Sequence, residues 1–150
     1  LINQQGKRFV NELERRDVVA KAIVEQTGNV AYVIWPPELE ESSRSLELYP
    51  SEYTAMLAAK LITKANNLDA AADFFGIDKN QLKQTIQNSG EYPAKKADPD
   101  FNKDRNMLSY AEGPYYIQKI TPSAHYTKGG IQINEKAEVF NKSGKAIPHL

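Results

Sequence analysis

The chain has 150 residues, of which 41% are hydrophobic and 25% are charged, so it can form one domain of ordinary size with a hydrophobic core. Its 19 basic and 19 acidic residues cancel, and the chain lacks the broad positive field that non-specific nucleic-acid binding requires. The absence of cysteine excludes disulfides, thiolate chemistry and cysteine metal sites, and no apolar run approaches the ~20 residues of a membrane span.

The first third predicts helices around one buried strand. Residues 1–10 indicate two short strands about a glycine turn. Asp17 is predicted to cap a helix whose apolar residues recur at helical spacing and which Gly28 ends. The continuous apolar run 30–35 is typical of a buried central strand, and two prolines stop it. The carboxylate-rich stretch 38–48 predicts a short helix with a solvated face.

The middle third predicts three helices, one edge strand and a loop. A helix is expected over residues 51–59 with Ser51 as its cap, followed by a short edge strand over 61–65. A second helix is expected over 67–76, with a glycine to close it, and Asp78 is expected to cap a third. Residues 92–105 are rich in Pro, Lys and Asp and predict a loop.

The last third is rich in strand-forming residues. Strands are predicted over 115–120, 131–134 and 137–141, with a hairpin turn at 142–145. The fold class expected is therefore α+β: a helix-rich body with short strands, followed by a β-rich tail.

One histidine lies in an unusual setting between two of these strands. His125 follows Pro122 and precedes the pair Gly129 and Gly130, so backbone constraints hold it in place. Such a position suits a group that must meet a substrate or a planar cofactor. A structural or solvated histidine is the alternative.

Three segments carry a family resemblance. Residues 122–130 (Pro-Ser-Ala-His-Tyr-Thr-Lys-Gly-Gly) are similar to Pro-Gly-x-His-His-Thr-Met-Gly-Gly, and residues 113–116 to Gly-Pro-Tyr-Tyr-Ala. Residues 6–12 with Arg16 and Asp17 are similar to Gly-x-Arg-Phe-Val-Asn-Glu followed by Arg-Asp. In order and spacing, and over essentially the whole chain, this resembles the FAD-dependent fumarate reductase and flavocytochrome c family.

The resemblance implies an architecture and an activity. Residues 1–113 would be the clamp (capping) domain that closes over the active site, and residues 114–150 a returning fragment of the FAD-binding domain. The full-length parent would use FAD to reduce an activated C=C bond of a dicarboxylate-like or other unsaturated carboxylate substrate. The partner of this chain would be the remaining FAD domain of the same polypeptide. We expect an excised piece that folds but neither binds FAD tightly nor turns over, with any targeting signal outside it.

The resemblance also implies roles for particular residues. His125 would be catalytic and would bind the substrate with Thr127. The predicted contacts to the cofactor are Tyr126, Gly129, Gly130 and Asn11. An acid–arginine relay would carry a proton to the arginine that protonates the substrate carbon, and its candidate members are Glu12, Arg16 and Asp17.

The family's catalytic arginine has no direct counterpart. Counted from Trp35, its position falls on Glu40, and the nearest arginine is Arg44, about one helical turn later. Either Arg44 takes over the role of proton donor, or this relative lacks the standard acid step. The alternative for Arg44 is a surface residue that pairs with one of three nearby carboxylates, namely Glu40, Glu41 or Glu47.

A rival hypothesis from another class concerns residues 68–88. Their small residues, glycine turn and second helix are typical of a helix-turn-helix, so the chain can also be read as a non-enzymatic interaction module that binds DNA. The second helix has few base-reading side chains and little positive charge, so we expect no nucleic-acid partner.

Alternating oxygen ligands raise the question of a metal site. They begin at Asp98 like a calcium-binding loop, but the sixth position is Lys103 instead of glycine and the twelfth is Ser109 instead of glutamate. A solvated loop without metal is predicted.

Overall fold

The computed structural model describes residues 1–110, 113–124 and 129–149. Its sheet has three antiparallel strands, β1 (Ala31–Trp35), β2 (Ile62–Ala65) and β3 (Tyr115–Ile120), in the order β1-β3-β2. Ile117 of β3 lies opposite Ile34 of β1 on one side and opposite Thr63 of β2 on the other. The mixture of helices with a small antiparallel sheet confirms the α+β class.

The central strand differs from the one predicted. The apolar run 30–35 forms β1, which pairs with β3 on one side and makes only the bridge from Tyr32 to Ile2 on the other. β3 is central instead, because β2 adds to its second edge, as an edge strand was expected to do. β1 is apolar because the strand is buried. An apolar run indicates burial, but it does not show whether the strand lies at the centre or at the side of the sheet.

Six helices surround this sheet in the described part of the chain. They are α1 (Arg16–Val24), α2 (Pro37–Ser43), α3 (Ser45–Leu48), α4 (Pro50–Ala58), α5 (Leu68–Phe75) and α6 (Lys79–Lys95), with a short 3₁₀ turn at Thr27–Asn29. The helix end at Gly76 and the cap at Asp78 are as predicted, and Asn67 is the N-cap of α5. The Asn67 side chain accepts from the backbone N–H of Ala70 at 2.9 Å, and that of Asp78 from the N–H of Gln81 at 2.8 Å. Gly76 closes α5 in the left-handed conformation.

Three helix predictions need correction. The N-cap of α1 is Arg15, so Asp17 lies in the first turn, where its charge still favours the helix dipole. The N-cap of α4 is Tyr49, not Ser51, because Pro50 already occupies the first helical position. The predicted helix over 38–48 is two helices, because Arg44 adopts left-handed backbone angles between them.

The loop expected from residue 92 begins four residues later. Helix α6 continues to Lys95, and Tyr92, which is buried, holds this last turn against the rest of the chain. Composition predicted a loop because proline and lysine are frequent here, but the burial of one tyrosine outweighs that tendency.

The core lies between the sheet and helices α5 and α6. Its buried members are Ile2, Tyr32, Ile34, Ala65, Ala71, Ala72, Ile77, Leu82, Ile86, Tyr115 and Ile117. Each large apolar side chain contributes roughly 1.5–3 kcal/mol to stability through burial. Tyr115 and Ile117 belong to this core, so residues beyond the proposed boundary at 113 share it with the residues before. The boundary itself stays a prediction.

The end of the chain is less regular than expected. Instead of the strands predicted over 131–134 and 137–141, residues 129–149 contain the single bridges Ile133–Val139 and Phe140–Ala146. The hairpin turn at 142–145 is present, with Gly144 at a φ of 76°. No helix in the described part of the chain is both long and apolar enough to cross a membrane.

Candidate functional site

The segment with the predicted catalytic histidine is described only at its two ends. His125, Tyr126 and Thr127 lie outside the described residues, so their roles stay predictions. Before them, Thr121 donates from its hydroxyl to the carbonyl of Asn29 at 2.9 Å, which ties the end of β3 to the start of β1. This bond fixes where the histidine segment leaves the sheet.

The two glycines that follow this segment have open surroundings. Gly129 has a φ of 101° and Gly130 a φ of 152°, and a Cβ atom added to either would find no atom within 4 Å. The positive φ angles favour glycine, while the open space leaves room for another group to approach the backbone. The contact of this pair with a planar cofactor stays a prediction.

Glu12, the predicted relay acid, lies in a buried charged cluster around Arg8. The Arg8 guanidinium donates to both oxygens of Glu12 at 3.2 and 3.1 Å and to both oxygens of Asp98 at 3.1 and 2.7 Å. Lys103 donates to Glu12 at 3.3 Å. We call these residues, together with Tyr92, Asp100 and Phe101, the Arg8 cluster.

Aromatic rings enclose the guanidinium of this cluster. The Cζ atom of Arg8 lies 4.9 Å from the ring centre of Phe101 and 6.0 Å from that of Tyr92. The Tyr92 hydroxyl donates to Asp100 at 2.6 Å, and Asp100 lies 3.7 Å from the guanidinium. A planar guanidinium can stack on aromatic rings and at the same time donate two hydrogen bonds to a carboxylate. Lysine, with a compact ammonium group, cannot reproduce this arrangement.

The cluster shifts the protonation of its members in consistent directions. Burial alone would raise the pKa of Glu12, but the charges of the Leu1 amino group and of Arg8 outweigh it and lower that pKa to about 2. Burial likewise opposes the charge of Asp98, yet hydrogen bonds from Arg8 lower its pKa below the ordinary value. Burial and the bond to Asp100 raise the pKa of Tyr92 to about 12. Both carboxylates therefore stay ionised at neutral pH.

Sequence reasoning missed most of this cluster. Asp98 was assigned to a solvated loop, but the residue is only 3% exposed and accepts from the backbone N–H groups of Asp100 and Phe101. The first two of the alternating oxygen residues, Asp98 and Asp100, face the guanidinium of Arg8. Nothing local in the sequence connects this turn with Arg8, which lies 90 residues earlier.

Asn11, predicted to contact the cofactor, uses its side chain inside the chain. Its amide donates to the carbonyl of Phe101 at 3.2 Å, and its side-chain oxygen accepts from the N–H of Leu13 at 2.9 Å. The residue thus connects the N-terminal segment with the turn that carries Asp98. A contact between Asn11 and a cofactor would have to use the hydrogen-bonding capacity of the side chain that these two bonds leave unused.

The structure does not join the other two relay candidates with Glu12 by a direct contact. Arg16 and Asp17 are exposed at the start of α1, and the carboxylate of Asp17 pairs with Arg15 at 2.7 Å. Glu12 bonds instead to Arg8, Lys103 and the Leu1 amino group. The residues predicted to form one relay therefore lie in two separate charged groups: Glu12 in the Arg8 cluster, and Arg16 and Asp17 at the start of α1.

Arg44 lies on the surface between α2 and α3. Its Nε atom donates to Glu47 at 2.7 Å, and both side chains are 67% exposed. This is the pairing expected of a surface residue, and its part in proton transfer stays a prediction. Glu40, at the position of the family's arginine, is buried, and its carboxylate accepts from Ser45 and from the backbone of Leu46.

A cavity of about 350 Å³ opens beside the Arg8 cluster. Arg8, Glu12 and Lys103 line its charged side, and the rings of Trp35 and Tyr110 are part of its apolar side. The charged side chains on this wall are paired with one another, so the cavity is polar on one side and apolar on the other.

The helix pair that suggested DNA binding is present, but its charges are neutralised. Lys79 and Lys83 of α6 pair with Asp73 and Asp69 of α5 at 2.7 and 2.8 Å. Contacts to phosphates need cations that carboxylates do not already occupy. We therefore do not propose nucleic acid as a partner.

Comparison with known proteins covers the whole chain. A profile of the family described as FAD binding domain matches residues 1–150. Urocanate reductase of Eggerthella lenta is 36% identical over 149 residues, which are 99% of this chain and 25% of that protein. Fumarate reductase (cytochrome) of Shewanella frigidimarina is 35% identical over 150 residues, which are 100% of this chain and 25% of that protein. The chain thus spans about a quarter of the length of these curated relatives.

Solved structures agree with these sequence matches. The open conformation of a flavocytochrome c3 fumarate reductase superposes with a TM-score of 0.78 at 28% identity, over 97% of this chain and 25% of that one. A solution NMR structure of a fumarate reductase flavoprotein subunit from Lactobacillus plantarum superposes with a TM-score of 0.66 at 28% identity, over 85% of each chain.

Proposed function

This chain belongs to the FAD binding domain family, and on that premise we propose that it is part of a flavin-dependent oxidoreductase that reduces an activated C=C bond of an unsaturated carboxylate. The observation that carries the proposal is the match of the entire chain to this family, together with its similarity to urocanate and fumarate reductases. Both of those substrates place a double bond next to a carboxylate. FAD, when bound, would supply hydride to one carbon of that bond.

The residues of this chain would bind the substrate and provide the proton. His125 and Thr127 would hold the carboxylate, which orients the double bond and draws electron density away from it. Arg44 would donate the proton to the carbon next to the one that receives hydride. Its exposed position and weak pairing with Glu47 support this role, because the guanidinium can leave its partner at little cost.

Glu12 would act as a fixed anion. Its pKa of about 2 supports a carboxylate that stays charged while protons move nearby, and such a charge keeps neighbouring arginines protonated. Arg16 and Asp17 are exposed and would form a second part of the relay on the solvent side, separate from Glu12.

Contact with FAD would come from the segment after β3. Tyr126, Gly129 and Gly130 would approach the ring, which the open surroundings of both glycines support. Asn11 would contribute by holding the turn at Phe101. Residues 1–113 would serve as the clamp over the substrate and residues 114–150 as the returning part of the FAD domain, in line with the similarity to an open fumarate reductase structure.

The experiment is purification of the full-length parent, followed by absorbance spectroscopy for flavin and assays with fumarate and urocanate under a chemical electron donor. Bound flavin and reduction of either acid are expected. A folded parent without flavin would end the proposal. A flavoprotein that reduces neither acid would keep the flavin and discard the substrate class.

A further inference from the structure

Glu40 is a buried carboxylate in a helix of otherwise solvated acids. It is 9% exposed, whereas its neighbour Glu41 faces solvent. Its Oε1 accepts from the backbone N–H of Leu46 at 2.6 Å, and its Oε2 accepts from the hydroxyl of Ser45 at 2.7 Å. Both of these donors are neutral groups of the next helix.

Such an arrangement is costly unless the bonds are retained. Removing the polar oxygens of a carboxyl group from water is unfavourable, and two short hydrogen bonds to those oxygens offset that cost. Glu40 therefore favours one arrangement of α2 relative to α3, the one that brings Ser45 and Leu46 to its two oxygens. Glu41 has no comparable effect because it stays in solvent.

Arg44 is the residue that this arrangement constrains. Its backbone has φ 50° and ψ 30°, a left-handed conformation that is unfavourable for a residue with a side chain. Its N–H donates to the carbonyl of Glu40 at 2.6 Å, and the next two residues are bonded to the Glu40 carboxylate. Glu40 thus contacts the chain on both sides of the bend.

We propose that Glu40 is the positioning residue for Arg44. It holds the backbone of the bend, and thereby the direction in which the Arg44 side chain leaves it. The inference rests on the proposed function, in which Arg44 donates the proton. The Arg44 side chain can reorient beyond the bend, since its ion pair with Glu47 is exposed and such pairs add little stability. With its backbone fixed and its ion pair with Glu47 easily broken, the Arg44 guanidinium could move from solvent to the substrate.

Kinetics of the full-length parent test this with Glu40→Ala and the matched surface control Glu41→Ala. We expect Glu40→Ala to lower kcat about 10- to 100-fold, the scale of a misplaced catalytic group, with KM changed less than about twofold. Glu41→Ala should leave both unchanged. Ser45→Ala removes only one of the two bonds and should shift kcat in the same direction by less. If Glu40→Ala fails to fold, Ser45→Ala alone tests the proposal.

The double variant separates positioning from a general structural role. If Glu40 acts through Arg44, Glu40→Ala combined with Arg44→Ala should be no slower than Arg44→Ala alone. Additive losses would overturn the proposal, as would an unchanged kcat in both Glu40→Ala and Ser45→Ala.

A readout that needs no activity distinguishes this inference from the proposed function. Trypsin cuts after arginine, and the bend at Arg44 is exposed. Cleavage after Arg44 should be faster in Glu40→Ala than in the parent and in Glu41→Ala. A parent that lacks flavin or turnover would refute the proposed function, while faster cleavage in Glu40→Ala would still support the fixed bend. Unchanged cleavage would refute the fixed bend even in an active enzyme.

Discussion

Arg8 and Asp98 form a two-pronged ion pair across 90 residues of sequence, with hydrogen bonds of 3.1 and 2.7 Å and an Asp98 side chain fully removed from solvent. The pair joins the N-terminal segment to the turn that follows α6. The same guanidinium also bonds Glu12, the predicted relay acid, which lies only four residues after Arg8. The position of the candidate site therefore depends on a contact that no local pattern reveals.

Loss of the Asp98 charge should destabilise the fold. Asp98→Asn leaves a buried guanidinium with one of its three carboxylate partners missing, and breaking a buried pair typically costs about 3–5 kcal/mol. Urea unfolding of this chain should show that loss. The matched control is Asp104→Asn, because among the described residues Asp104 pairs only with its exposed neighbour Arg105, so the change should alter stability by under about 0.5 kcal/mol. Equal midpoints for both variants would contradict the prediction.

The same ion pair should make stability depend on pH in one direction. The pKa of Asp98 is lower in the folded chain than its ordinary value, so the unfolded chain binds the proton more readily. The stability it contributes is therefore fully present above about pH 4, near the ordinary pKa of aspartate, and is lost as pH falls through the folded value. The difference between wild type and Asp98→Asn should be constant from about pH 5 to 8 and shrink below about pH 4. A difference that grows on acidification would contradict this.

Gly6 should tolerate no side chain. Its φ is 73°, and an added Cβ would lie 2.7 Å from the backbone nitrogen of Leu82 and 3.0 Å from the carbonyl of Asp78. Because both obstacles are backbone atoms, Gly6→Ala should cost more than the roughly 1 kcal/mol of unfavourable φ alone. Gly144 has a φ of 76° with open space around it, so Gly144→Ala measures that conformational cost by itself. In thermal unfolding, the midpoint temperature of Gly6→Ala should be well below that of Gly144→Ala.

Arg44→Ala in the full-length parent should lower turnover by roughly two to four decades if Arg44 donates the proton. Arg44→Lys should restore little, since lysine does not reproduce the planar guanidinium. Glu47→Gln, which removes only the surface partner, is the control and should leave kcat within about twofold. Unchanged turnover of Arg44→Ala on the true substrate would remove Arg44 from the mechanism and leave it as a surface residue.

The isolated chain should fold without binding FAD tightly. A similar piece of the Lactobacillus plantarum subunit, matched over 85% of both chains, has a solution structure, which supports independent folding. The glycine-rich fingerprints for nucleotide phosphates are absent from this sequence, so little would hold the adenine half of FAD. Titration calorimetry should show no binding at micromolar concentrations, with the full-length parent as the positive control. Stoichiometric FAD on the isolated chain would contradict the prediction.

Local chemistry was sufficient to predict several elements. Gly76 and Asp78 cap α5 and α6 as expected, because a cap is an interaction between residues within three or four positions. Strand β3 was predicted with the right bounds from its β-branched and aromatic residues. The bend at Arg44 and the last turn of α6 were missed, since they depend on the burial of Glu40 and Tyr92.

By itself, the sequence determined the family, the α+β class and the cofactor class, because these follow from local propensities and from motifs that remain recognisable in one dimension. Only the tertiary structure decided which charges meet. Glu12 and Asp98 both pair with Arg8. Arg44 pairs with Glu47, and Glu40 is buried at the bend between α2 and α3. The physical reason is that ion pairing and burial depend on distance in space. Residues 90 apart become neighbours only when the core between the sheet and its helices has formed.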